Sequence, residues 1–227
     1  MSSQTKTPDS SRLVFIVEDH PVFREGLVRL LDAEHGLEAC GCAGDYESAL
    51  KGIKKCRPDV VLVDLELPDK SGLELIKKVR ALKLPAKLLV VSMYDEALYA
   101  DRVLRAGGDG YIMKEESPQE IVHAIHDVLA GRIYVSEKVL SNRTQGSGAA
   151  KADEQDNKGP LDDLTDLELR VLELLGQGKS NVEIAQSLRL KAREIPGHCV
   201  QLRKKLNLNT SNALIRYAVC WVETGVV

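Results

Sequence analysis

Glu18 and Asp19 follow the apolar run LVFIV, and Asp64 follows VVLV. Ser92 closes KLLVVS, and Lys114 follows GYIM. Each polar group is thus delivered by apolar residues of the kind that fill buried strands. Three carboxylates brought together repel one another and need a cation to share. Hard oxygen ligands with room for water suit Mg2+. A carboxylate can also attack phosphorus and form an aspartyl phosphate. The charge of that product calls for a metal, an ammonium such as Lys114 and a hydroxyl such as Ser92. Phosphoryl transfer depends mostly on positioning and electrostatics, which such a set supplies. Any one polar residue after a strand is more often a turn residue. The whole set at successive strand ends is harder to explain that way.

The set requires strands whose ends share one rim. Five apolar runs serve as strands: 13–17, 37–43, 60–63, 87–92 and 110–113. Amphipathic stretches at about 20–34, 45–56, 72–82, 95–106 and 117–130 alternate with them. Alternating strands and helices indicate a doubly wound, five-stranded parallel sheet with helices on both faces, an α/β fold of flavodoxin-like type. In such sheets ligands bind beyond the carboxyl ends of the strands. The pattern fades from about Tyr134 to Pro160, and SNRTQGSGAAKADEQDNKGP reads as a flexible linker. Beyond Leu161 the pattern is helical only. The expected organisation is a tail over 1–11, the α/β domain over 12–132, a linker over 133–160 and a small all-α domain over 161–224.

Composition is that of an ordinary globular chain: 227 residues, 44% hydrophobic, 29% charged, formal charge −3. No apolar run approaches the roughly 20 residues of a membrane helix. The polar start MSSQTKTPDSS lacks the apolar core of a signal peptide, so a disordered tail and a cytoplasmic protein are expected. The five cysteines, an odd count, are expected to be reduced thiols. Cys40-Gly41-Cys42 fits alternation along an apolar strand better than half of a metal site.

The stretches VFIVEDHPVFREGL, PDVVLVDLELPDKSGLELI, LLVVSMYD and AGGDGYIMKEESPQEIVHAI resemble the receiver domain of bacterial two-component response regulators of the NarL/FixJ type. The resemblance covers nearly all of 12–131. It implies that Asp64 accepts a phosphoryl group from a sensor histidine kinase and that the protein is not otherwise an enzyme. It implies Mg2+ on Glu18, Asp19, Asp64 and the backbone carbonyl of Glu66, with Lys114 on the phosphate. Ser92 and Tyr111 become the switch pair, and segment 95–130 the output surface. Glu18 stands where Asp is commoner, and Glu115 where many receivers have Pro. His20 is read as a supporting residue. His123 and His126 are read as surface or core.

Residues 164–219 resemble the LuxR-type helix-turn-helix domain, with a scaffold helix at 181–188, a recognition helix within 192–206 and a dimerisation helix at 211–223. The stretch RLKAREIPGHCVQLRKKL, 189–206, carries six basic residues against one acid. Lys191, Arg193, His198, Arg203 and Lys204 are the candidate DNA contacts, and Lys205 joins the basic run. Departures cluster here. Val182 and Pro196 replace lysines, Arg189 a turn glycine, Lys191 a capping Ser or Thr, and Glu194 a Thr. Pro is tolerated only in a first turn, so the regular helix is expected to begin near Ile195 or Pro196. Two readings follow: a phosphorylation-switched, homodimeric DNA-binding transcription regulator, or a regulator whose helical domain binds a protein partner. The stretch DLELP also faintly resembles aspartate-nucleophile phosphatases, and the α/β pattern would admit a flavodoxin-like cofactor domain.

Overall fold

The computed structural model describes residues 11–68, 70–136, 139, 161 and 163–224. The expected tail, apart from residue 11, and most of the expected linker lie outside them. The chain divides into two compact units, 1–148 and 149–227.

In the first unit the apolar runs form β1 (Arg12–Val17), β2 (Leu37–Ala43), β3 (Val60–Val63), β4 (Lys87–Ser92) and β5 (Gly110–Met113). They make one parallel sheet in the order β2-β1-β3-β4-β5. Five helices alternate with them: α1 (Pro21–Ala33), α2 (Tyr46–Cys56), α3 (Gly72–Ala81), α4 (Glu96–Arg105) and α5 (Pro118–Leu129). The central strand β3 is buried along its whole length, as a strand covered on both faces must be. One face of the sheet packs Val14, Ile16, Leu62, Leu89 and Ile112 against Leu27 and Leu31 of α1 and Ile121 and Ile125 of α5.

Local chemistry starts most of these helices. Asp45, Ser71, Asp95 and Ser117 each accept a backbone N–H of the first turn of α2, α3, α4 and α5. Such caps contribute about 1 kcal/mol each. Pro21 and Pro118 occupy first-turn positions, where no donor is lost.

Two local readings need revision. The α/β unit does not release the chain at residue 133. Tyr134 forms a parallel bridge with Gly110, and its carbonyl accepts the Tyr111 N–H at 2.7 Å. Ser136 N–H donates to Glu96 at 2.7 Å. Nor does β2 alternate cleanly through its cysteines. Val14 pairs with Ala39 but Phe15 with Gly41, so Cys40 is the extra residue of a β-bulge.

Among its described residues the second unit holds four helices: α6 (Asp166–Gly176), α7 (Asn181–Ser187), α8 (Ile195–Lys205) and α9 (Ser211–Thr224). Capping boxes Thr165/Glu168 and Ser180/Glu183 start α6 and α7. Leu169, Leu172, Ile184, Ile195, Leu202, Leu214, Ala218 and Trp221 form its core. Gly176 lets α6 approach α9 closely. A Cβ there would stand 2.4 Å from the Ala218 carbonyl oxygen.

Candidate functional site

The backbone ladder runs one residue past three strands, and this fixes the rim. Glu18 N–H donates to the Ala43 carbonyl at 2.9 Å, Asp64 N–H to Val17 at 2.9 Å, and Lys114 N–H to Ser92 at 2.8 Å. Each polar side chain therefore starts from a backbone held by its neighbour strand. Glu18, Asp64 and Ser92 are buried, with at most 2% of each exposed.

Lys114 spans two of the carboxylates. Its Nζ lies 2.6 Å from Glu18 Oε2 and 2.8 Å from Asp64 Oδ2, with the Phe23 ring 4.8 Å away on another side. Burial acts against the lysine charge, but Asp64 and Glu18 outweigh it and raise its pKa. Asp64 is pushed up to about 6, chiefly by burial, which Lys114 opposes and Glu18 reinforces. His20 Nδ1 lies 3.0 Å from Glu18 Oε1 and 2.8 Å from Asp19 Oδ1, the supporting place read for it. Donor atoms of Glu18, Asp19, His20 and Asp64 all fall within 4.8 Å of one another. Three hard carboxylates with one imidazole at the edge match what a small divalent cation takes. Glu66 lies beside the acceptor, its N–H 3.2 Å from Asp64 Oδ1.

Ser92 and Tyr111 meet at the backbone of one residue, Tyr94. Tyr94 N–H donates to Ser92 Oγ at 3.3 Å, and the buried Tyr111 hydroxyl donates to the Tyr94 carbonyl at 2.7 Å. Both candidate switch residues thus hold the segment that leads into α4. Beside the rim, Val22, Phe23, Leu27, Leu30, Met93 and Ile121 line an apolar groove of about 620 Å³ that reaches His20 and Lys114.

In the second unit α8 starts at Ile195, as the proline placement requires. Residues 192–194 form a turn. Arg189 takes the left-handed conformation, φ 55°, where a glycine would be unstrained. Glu194 does not face open solvent alone, because its carboxylate accepts the Lys191 N–H at 3.0 Å. The acid thereby caps the turn that Lys191 cannot cap with its own side chain. Lys191, Arg193 and Lys204 are exposed; His198 and Arg203 are half-buried. Lys205, grouped with them in the basic run, is engaged elsewhere. Its Nζ lies 2.6 Å from Glu168 and 3.0 Å from the Asp163 carbonyl oxygen.

A response regulator receiver domain model matches residues 14–126, and the model for bacterial regulatory proteins of the luxR family matches 162–218. The DNA-binding transcriptional activator DevR/DosR of Mycobacterium tuberculosis is 36% identical over 201 residues, covering 86% of this chain and 88% of that one. The chain is a two-component response regulator. The regulator is also 30% identical to the transcriptional regulatory protein DegU of Brevibacillus brevis, over 86% of this chain and 88% of that one. Among solved structures, a LuxR-family response regulator from Aurantimonas sp. SI85-9A1 matches at 31% identity and TM-score 0.56, over 62% of this chain and all of that one. The regulator therefore couples a receiver to a LuxR-type DNA-binding domain, and a diverted, protein-binding helical domain is not favoured. Among the described residues no helix is long and apolar enough to cross a membrane.

Several residues that shape the regulator's site carry no sequence signal of their own. Arg24 Nη1 donates to the Glu18 carbonyl at 2.7 Å, pinning the turn that holds both acids. Nothing distinguishes it from the exposed arginines of an amphipathic helix. A Cβ on Gly72 would stand 2.1 Å from the Asp64 carbonyl oxygen, so only glycine lets α3 start against Asp64. Tyr94, whose backbone N–H and carbonyl are bound by Ser92 and Tyr111, reads in sequence as an ordinary loop aromatic.

Proposed function

We propose that Asp64 is the phosphoryl acceptor of this regulator and that a sensor histidine kinase is the donor. The observation that carries this is the buried Asp64–Lys114–Glu18 arrangement at the carboxyl rim of the sheet. Asp64 Oδ1 is oriented by the Glu66 N–H, which leaves the carboxylate aimed by two donors. Lys114, pre-charged by its neighbours, is placed to pair with the phosphoryl oxygens. Glu18, Asp19, Asp64 and the Glu66 carbonyl would hold Mg2+, which supplies positive charge against the phosphoryl oxygens. Ser92 would turn from Tyr94 toward the new phosphate, releasing the N–H of the residue whose carbonyl Tyr111 holds. The resulting population shift alters the segment leading into α4. The apolar groove beside Lys114 is the surface this reading offers to the donor protein.

For output, α8 enters the major groove while α7 meets the backbone, the arrangement of helix-turn-helix domains. Exposed Lys191, Arg193 and Lys204, with His198 and Arg203, make the contacts. The protein works in the cytoplasm as a homodimer, with α9 as the pairing helix, and does no chemistry beyond accepting and slowly losing the phosphoryl group. The test is incubation with acetyl phosphate and Mg2+ followed by intact mass measurement. A single added phosphoryl group, absent from Asp64→Asn, supports the reading. Equal labelling of that variant overturns it.

A further inference from the structure

The bulge in β2 sits beside a second sulfur. Cys56 ends α2, and its thiol donates to the Cys40 carbonyl at 3.3 Å. The two thiols are near enough that Cys56 helps to raise the pKa of Cys40. Two local features surround their meeting. Cys40 is the extra residue of the bulge, so neither an alternating pleat nor a ladder partner fixes it as it would a regular strand residue. Gly41, next to it, has no side chain; a Cβ there would lie 2.9 Å from the Phe15 ring and 3.6 Å from Cys56 Sγ. The glycine therefore makes room for the Phe15 ring, and the Cys56 thiol lies at ordinary contact distance beside it. Both cysteines are half-buried, neither sealed in the core nor fully open.

We propose that Cys40 and Cys56 form a reversible dithiol–disulfide pair that ties the edge strand β2 to the end of α2. The oxidant class is a peroxide. Cys56–SH reacts with ROOH to give Cys56–SOH and ROH. Cys40–SH then attacks that sulfur, forming the S–S bond and releasing water. Two electrons leave the thiol pair and reduce the O–O bond. Burial, with Cys56 second, pushes the Cys40 thiol up to about 11. Cys40 is therefore the poorer first nucleophile toward the peroxide, so Cys56 takes the first oxidation and Cys40 gives up its proton as it attacks the sulfenic sulfur. Where glutathione keeps thiols reduced, such a bond is transient, the usual behaviour of redox-sensing pairs. It would also reach the rim mechanically. The strand carrying the bulge ends at Ala43, whose carbonyl accepts the Glu18 N–H.

The test uses the full chain with Cys42, Cys199 and Cys220 replaced by Ser, leaving only the pair. It is treated with hydrogen peroxide, digested without reductant and analysed by mass spectrometry. The expected product is one peptide pair joined through Cys40 and Cys56, lighter by two hydrogens and reversed by dithiothreitol. The melting temperature should rise on oxidation and return on reduction. Adding Cys56→Ser should abolish both changes, and adding Cys40→Ser should do so independently. Oxidation of either sulfur to sulfinic or sulfonic acid without a cross-link overturns the proposal. So does a cross-link only between separate molecules.

Discussion

Lys204 and Lys205 are adjacent lysines with opposite surroundings, and they should behave oppositely. Lys204 is exposed on α8. Lys205 is paired with Glu168 at 2.6 Å and with the Asp163 carbonyl at 3.0 Å, bracing the start of α6. If Lys204 meets a phosphate, Lys204→Ala removes one released counterion per subunit. The slope of log Kobs against log salt should then become shallower by about 0.9 per subunit. Between 50 and 200 mM salt that slope difference corresponds to about 3.5-fold per contact. Folding stability should stay within about 0.5 kcal/mol, as for most surface changes. Lys205→Ala should leave the slope nearly unchanged. It should cost about 1–2 kcal/mol, less than a fully buried pair, because Lys205 is one-third exposed and Glu168 keeps its bonds to Thr165. Fluorescence anisotropy on duplex DNA across a salt series gives the first quantity, and urea unfolding the second. A Lys205→Ala protein of wild-type stability with a slope reduced as much as that of Lys204→Ala would refute this assignment.

Asp64 is raised from 3.8 to about 6, so its burial costs nothing when it is protonated in both states and most when it is charged. The rise corresponds to about 3 kcal/mol. Asp64→Asn in EDTA should therefore be more stable than wild type above about pH 6, by about 1–3 kcal/mol since Lys114 also loses a partner. The gain should fade as pH drops toward 4, and a gain that does not vary with pH in thermal melts would contradict it. Gly72→Ala should displace the Asp64 backbone, and acetyl phosphate labelling should slow by about 10–100-fold; an unchanged rate would mean that α3 can yield without moving the acceptor. Arg189→Gly relieves a left-handed residue and should raise urea stability by about 0.5–1 kcal/mol; a loss would show that the arginine side chain holds the turn.

Much of the receiver was legible because its signals are local. Apolar runs such as VVLV can only be buried strands when helices alternate with them, and four of the five lead into a polar residue at the rim. The start of α8 was legible for the same reason: Pro196 lacks a donor and is tolerated only in a first turn. The bulge at Cys40 was not legible, since a strand's register depends on its partner and not on its own residues. The clasp of Tyr134 on β5 was likewise hidden in a segment with little pattern.

By itself the sequence determined the element order, the two-unit organisation and which residues are candidates for phosphoryl chemistry and DNA contact. Those follow from periodicity, caps and breakers, which act within a few residues. Only the tertiary structure decided which of those groups are spent on one another. Lys205 looks like Lys204 until Glu168, 37 positions away, takes its charge. Glu194 looks like a repulsive acid until the Lys191 N–H uses it as a cap. Lys114, Glu18 and Asp64 come from the ends of three strands, and the ionisation of Lys114 and of Asp64 is set by burial and by the charges beside them. Residue type supplies a donor, an acceptor or a charge; its surroundings determine what remains of it for function.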